Sequence, residues 1–221
     1  MTIDEVRAIL FELGLQLDAD LSDLWAAAGG LPSAEFRSVI IDAFPEIVLP
    51  HSATAADVAA EWYDSTPTGS VGFRVQQGAL PTVERLASSA QWALNVGNAE
   101  TGLTLLQGSG QRGVLDGARD TILTNVAAEP GARWARHASA NACSFCRMLT
   151  TRADVYRSRS TADFKPHDDC HCIPVMVRPG QSYTPAPYVA QWEKQYVQAR
   201  RDAGSSDPKA ILNAWDRALR K

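Results

Sequence analysis

Apolar side chains recur at helical spacing from the first turn of the chain. Thr2 and Glu5 have the separation of a capping box, and Val6, Leu10, Leu13, Leu17, Leu21 and Leu24 follow every three or four residues until Gly29-Gly30. The pattern predicts a long amphipathic helix with a break near Gly14 or Asp18. Ser33 is placed to cap a second helix carrying Phe36, Val39, Ile40 and Phe44 and stopped by Pro45, and Ser52 or Thr54 opens a third through Val58, Trp62 and Tyr63. Ser65–Ser70 is rich in turn formers and is the expected hinge of this helical part. Pro81 suits the first position of a helix through Val83, Leu86, Ala90 and Ala93, interrupted at Gly97 or Gly102. Leu106, Val114, Ala118, Ile122 and Val126 keep the helical period, while Gly108, Gly110 and Gly113 predict a kink or loop among them.

The texture changes after Pro130-Gly131. Short mixed segments follow: Ala132–His137, a Cys-bearing turn, Val155-Tyr156, and Cys170–Val177, which alternates and is β-branched enough for a strand. Pro174 confines that strand to a sheet edge. Beyond Gly180, Tyr188, Trp192, Tyr196 and Ala199 return to helical spacing, and Asp207-Pro208 suits the cap and first position of a last helix with Ile211, Leu212, Trp215 and Leu219. Aromatic residues at this spacing are read as packing. The expected fold class is α+β and mostly α: a helical domain over residues 1–126, a small α+β Cys/His module over 131–180 and C-terminal helices over 181–221.

The 221 residues are 45% apolar and 21% charged, which excludes a disordered chain and is enough to bury a core. There is no membrane-length apolar run, and Asp4, Glu5, Glu12, Asp18 and Asp20 are unlike a secretory signal, so a soluble intracellular setting with no membrane contact is expected. A net charge of −4 argues against a general nucleic-acid binder. The average conceals an asymmetry: residues 1–66 carry two basic and twelve acidic side chains, and residues 152–221 carry twelve basic and eight acidic ones. An acidic front suits docking on a basic protein surface and a basic tail suits nucleic acid or an acidic partner, unless both are plain solvated helix faces.

All four cysteines fall within thirty residues, as Cys143-x-x-Cys146 and Cys170-x-Cys172, with His167 and His171 beside the second pair. Two close pairs separated by a loop match a structural zinc site better than disulfides or a redox motif, because zinc takes four N or S ligands in a tetrahedron. The expected ligands are Cys143 and Cys146 with two of His167, Cys170 and Cys172. The bland alternative is four small buried thiols in a core. Nucleophilic catalysis is a third reading: Cys143 or Cys146 as the thiolate, His167 as its base, Asp168 to orient the imidazole. Ser139 and Ser144, near His137, are weaker nucleophile candidates. H-E-x-x-H, G-x-S-x-G, phosphate-loop and zinc-deaminase patterns are absent.

Gly117-Ala118-Arg119-Asp120-Thr121-Ile122, Trp134-Ala135-Arg136, Ala142-Cys143-Ser144-Phe145-Cys146-Arg147-Met148-Leu149, Tyr156 and Pro166-His167-Asp168-Asp169-Cys170-His171-Cys172 together resemble the Mu F-like head-morphogenesis proteins of tailed phages. The nearest group is that of actinobacterial phages labelled capsid maturation protease or Mu F-like minor capsid protein. The resemblance is strongest over residues 110–180 and extends to Trp192-Glu193 and Asp207-Pro208-Lys209. It implies a minor component of the virion, made in the host cytoplasm and acting inside the procapsid, that binds portal and capsid or scaffold proteins and influences DNA packaging or ejection. The alternative it carries is a peptidase that cleaves capsid or scaffold protein.

Overall fold

Thr2 caps the first helix as its spacing requires: its hydroxyl accepts from the Glu5 N–H (3.2 Å), and its own N–H donates to the Glu5 carboxylate (2.7 Å). In the computed structural model, which describes residues 1–67, 72–98, 100–157, 164 and 170–220, this helix is α1 (Ile3–Ala28). It is followed by α2 (Ser33–Ser65), α3 (Val83–Val96), α4 (Gly102–Ala128), β1 (Arg133–His137), α5 (Ser144–Thr150), β2 (Ile173–Val177), α6 (Val189–Ala203) and α7 (Pro208–Leu219). The fold is α+β and mostly α, with one two-stranded sheet among the described residues.

Three expectations about helix breaks are corrected. α1 runs unbroken through Gly14 and Asp18, because Gln111 of α4 donates to the Asp18 carboxylate (2.6 Å) and Gln107 to its carbonyl (3.1 Å), fastening the segment sideways. The second and third predicted helices are one, with Pro45 and Pro50 inside α2 and Pro32, which makes no side-chain cap bond, where Ser33 was expected to cap. Each proline removes one backbone donor, and burial of Phe44, Val48, Ser52 and Ala55 along a single face outweighs that loss. Pro81 lies just ahead of α3, whose cap is Thr82.

The third correction is α4, which is continuous through Gly108, Gly110 and Gly113. Its glycines are places of close approach. A Cβ on Gly110 would lie 2.9 Å from the Leu17 side chain, and one on Gly113 2.9 Å from that of Val48. At Gly117 the obstacle is backbone, the Ser52 carbonyl oxygen at 2.3 Å. The Ser52 hydroxyl donates to the Gly113 carbonyl (3.0 Å) across the same contact. α4 therefore lies inside the molecule, packed on α1, α2, α3 and both strands.

β1 and β2 pair antiparallel, from Arg133 opposite Val177 to His137 opposite Ile173. Pro174 faces Arg136 in a sheet where each strand is an edge, which accommodates its missing donor. Every residue of β2 is buried, so the segment does not show the half-buried alternation its sequence suggests. The Trp134 N–H donates to the Tyr156 carbonyl (2.9 Å), and the two rings stack at 4.4 Å. Asp207 caps α7 through the Ala210 N–H (3.0 Å), and Trp192 and Trp215 are buried as expected. One apolar cluster extends from Val6 through Ile122, Trp134 and Val175 to Trp215.

A buried ionic group joins the end of α2, the end of α4 and the residue after β2. Arg178 donates to both Glu129 carboxylate oxygens (2.9 and 3.1 Å) and to the carbonyls of Tyr63 (2.9 Å) and Thr66 (2.8 Å). The Tyr63 hydroxyl donates to Glu129 (2.7 Å), and burial pushes that phenol well above its ordinary range. α2 ends at Ser65, where the turn-rich segment begins; residues 68–70 of the expected hinge lie outside the described residues.

Gly117→Ala is expected to lower stability by about 3 kcal/mol, since a backbone carbonyl cannot step aside as a flexible side chain can. Gly30→Ala, where a Cβ would have nothing within 4 Å, serves as the neutral control in urea unfolding.

Candidate metal centre

Cys143 is the N-cap of α5, and its sulfur accepts the Cys146 N–H at 3.5 Å. The x-x spacing thus places Cys146 one turn into the helix, where it is buried, while Cys143 stays exposed. Arg147 pins the preceding loop by donating to the carbonyls of Ala142 (2.6 Å) and Ala140 (3.3 Å). On the opposite side Cys170 and Cys172 precede β2. Side chains two apart in extended backbone share a face. Both thiols are buried, and His171 between them is exposed and lines a surface groove.

The sulfurs of Cys146, Cys170 and Cys172 all lie within 4.8 Å of one another, with Cys146 and Cys170 3.7 Å apart. These three could hold a metal ion. Cys143 lies outside the triad, but it touches Cys146 through the backbone bond and through the thiol. Of the expected ligands, then, the fold brings together three of the four cysteines and sets the fourth beside them. His167 and Asp168 lie outside the described residues. Ser139 donates to Asn141 (2.8 Å) and Ser144 is buried; neither is hydrogen-bonded to His137 among the described residues.

Two guanidiniums flank the sulfurs. Arg119, 2% exposed at the middle of α4, donates through Nε and Nη2 to the Cys172 carbonyl (3.1 and 3.0 Å), through Nη2 to the Cys170 carbonyl, and through Nη1 to Asp116 (3.2 Å). Arg136, fully buried on β1, sits with Nη1 3.9 Å from the Cys146 sulfur and its plane 3.7 Å above the Phe164 ring. Its Nε and Nη2 have no hydrogen-bond acceptor among the described residues. Among the described residues no carboxylate is hydrogen-bonded to Arg136, and a buried cation needs a source of negative charge within reach.

The thiols supply one. Donation from Cys146 and then Cys172 holds the Cys170 thiol far below its ordinary range, and Arg119 adds to the pull. Cys146 is pushed up by its contacts with Cys143, Cys170 and Cys172 and by burial. Cys146 pulls Cys172 down, but Cys170 and burial outweigh this and leave Cys172 pushed up to about 12. Three thiols in mutual contact make a site in which a cation can replace protons.

Neither arginine was picked out as a functional residue from composition or spacing. Arg119 does stand four residues after Leu115 and three before Ile122, on the buried stripe of its helix, which is an anomaly visible in the sequence. Arg136 shares a strand face with Trp134, a weaker signal.

A family model described as VG15 protein matches residues 1–199, a span that includes all four cysteines and both arginines. Comparison with curated proteins and with solved structures found no match.

His137 generates a pH prediction. Burial, then the positive charge of Arg7, lowers its pKa from 6.5 to about 4, with Asp4 opposing. Between those values the unfolded chain binds a proton that the folded chain refuses, so stability is expected to fall as pH drops from about 6.5 to about 4. His137→Gln should flatten the difference in that window when urea midpoints are compared at pH 7 and pH 4.5; an unchanged slope would show that His137 stays accessible.

Proposed function

The chain belongs to the VG15 protein family, and on that premise we propose that it is a Mu F-like head-morphogenesis protein, a minor phage capsid component acting near the portal during procapsid assembly. Portal and capsid or scaffold proteins are its partners, and the basic tail is the part suited to contact DNA. The family is one of viral gene products and covers nine-tenths of the chain, which supports a phage role. Among the described residues no helix is long and apolar enough to cross a membrane. In this reading the cysteine centre is a zinc staple.

The observation that carries the non-enzymatic reading is the closure of that centre. Cys146, Cys170 and Cys172 are 2%, 5% and 4% exposed, whereas a peptidase nucleophile must be reached by a polypeptide substrate. Zinc bound tetrahedrally by sulfur at about 2.3 Å separates its ligands by about 3.8 Å. The Cys146 and Cys170 sulfurs stand 3.7 Å apart, the spacing such a site requires. Cys143 is the fourth ligand by proximity, and His167 is the other residue that could fill the place. Four thiolates and one Zn²⁺ carry two negative charges, which answers the two buried guanidiniums. Arg136 toward the Cys146 sulfur and the Cys146 N–H toward Cys143 are outer-shell donors of the kind that steady thiolate ligands. The metal closes the segment from Cys143 to Cys172 and contributes folding energy there.

The peptidase alternative requires the exposed Cys143 as nucleophile with His167 as base. Elemental analysis with native thiol counting separates the two. About one zinc per chain, no fast-reacting thiol, and loss of the metal in Cys146→Ser are expected, together with recovery of the chain as a minor species in purified procapsids. Metal-free protein with one fast thiol that disappears in Cys143→Ser would overturn the staple in favour of the peptidase; absence from procapsids would overturn the assembly role.

A further inference from the structure

We propose that the groove between α1 and the cysteine-bearing segment is a docking site for a basic amphipathic helix of a protein partner. The groove is a cavity of about 500 Å³ walled by α1, α4 and the loops beside the metal centre, with Leu10, Phe11, Leu115 and Ile173 among its lining. It continues along α1 past Gly14 and Leu15 to Val114 of α4. Phe11 and Leu15 are 54% and 47% exposed on its lip, two large apolar side chains on a helix whose core-facing side is already satisfied by Val6, Leu17 and Leu21.

The partner's chemistry follows from the periodicity of α1. Asp4, Ala8, Phe11 and Leu15 fall on one stripe, twelve residues spanning about 16 Å. Glu5, Glu12 and Asp23 form the neighbouring stripe on the solvent side. Arg7 is answered within the molecule by Asp4 at 3.9 Å, and residues 1–66 hold two basic against twelve acidic side chains. A ligand for this surface must set apolar side chains at helical spacing into the groove and carry Lys or Arg along the edge that meets Glu5 and Glu12. About two turns of apolar lip, from Ala8 to Leu15, with Glu5 and Glu12 along the solvent side describe helix-in-groove recognition.

The inference deepens the assembly reading by assigning the chemistry of a partner, and rests on it for the choice of a protein ligand. The two fail separately, because peptide binding does not depend on recovery from procapsids. The probe is a labelled 14-residue Leu/Lys amphipathic peptide, compared with its Leu/Glu counterpart, titrated with the full chain by fluorescence anisotropy at physiological salt. The Lys peptide is expected to bind wild type at least tenfold better than the Glu peptide, and at least tenfold better than it binds Phe11→Asp or Leu15→Asp, both half-exposed positions whose folding is checked by circular dichroism. In the double variant Glu5→Lys, Glu12→Lys the preference should pass to the Glu peptide. Equal binding to the Asp variants, or an unchanged preference after charge reversal, would overturn the proposal. So would a wild-type dimer that Phe11→Asp dissociates, which would assign the groove to a second copy of the chain.

Discussion

The charge of Arg119 has no route to water. It sits in α4 on the face turned to Cys170, Cys172 and Phe164, 2% exposed, with protein groups within reach. The guanidinium must therefore be satisfied from inside, and it takes the carbonyls of Cys170 and Cys172 together with Asp116. That demand orders the segment before β2 and turns both cysteines inward. The route from sequence to site is short: Gly110, Gly113 and Gly117 let α1 and α2 close on one face of α4, Arg119 projects from the other, and the partners it finds there are the backbone of the cysteine pair.

The chain answers a buried arginine in two ways. At Arg178 the answer is a carboxylate, with Glu129, Tyr63 and two carbonyls leaving the group fully hydrogen-bonded. At Arg136 the neighbours among the described residues are an aromatic face and a sulfur, so two of its nitrogens face no acceptor there. The contrast is chemical. A carboxylate at the first place makes a closed structural joint, while sulfur at the second makes a centre whose charge depends on what the thiols hold. Three thiols share protons poorly in a dry pocket, and a divalent ion that displaces those protons leaves thiolates whose negative charge faces Arg136.

Much of the architecture was legible in the chain. The capping box at Thr2, the Asp207-Pro208 start of α7 and the end of α2 at Ser65 rest on local chemistry that needs no knowledge of neighbours, and the close spacing within each cysteine pair pointed to a cluster, of which Cys146, Cys170 and Cys172 come together. The misread positions share the opposite property. Pro45 and Pro50 stay in a helix, and Gly108, Gly110 and Gly113 sit in an unbroken one, because contacts with distant segments override a local preference. The roles of Arg119 and Arg136 were hidden for the same reason, since an arginine reads as surface until the fold encloses it. His167 and Asp168, expected from the sequence as base and orienting acid for a thiol nucleophile, lie outside the described residues, so the centre described is made of sulfur and flanking cations.

The central claim is that these sulfurs form a metal–thiolate centre balanced by two buried guanidiniums. X-ray absorption at the zinc edge of the purified full-length chain tests it most directly. The account requires a shell dominated by sulfur at about 2.3 Å, four atoms with Cys143 in the fourth place or three with His167 there. A shell dominated by nitrogen or oxygen, or protein that takes up no zinc when its thiols are fully reduced, would contradict it.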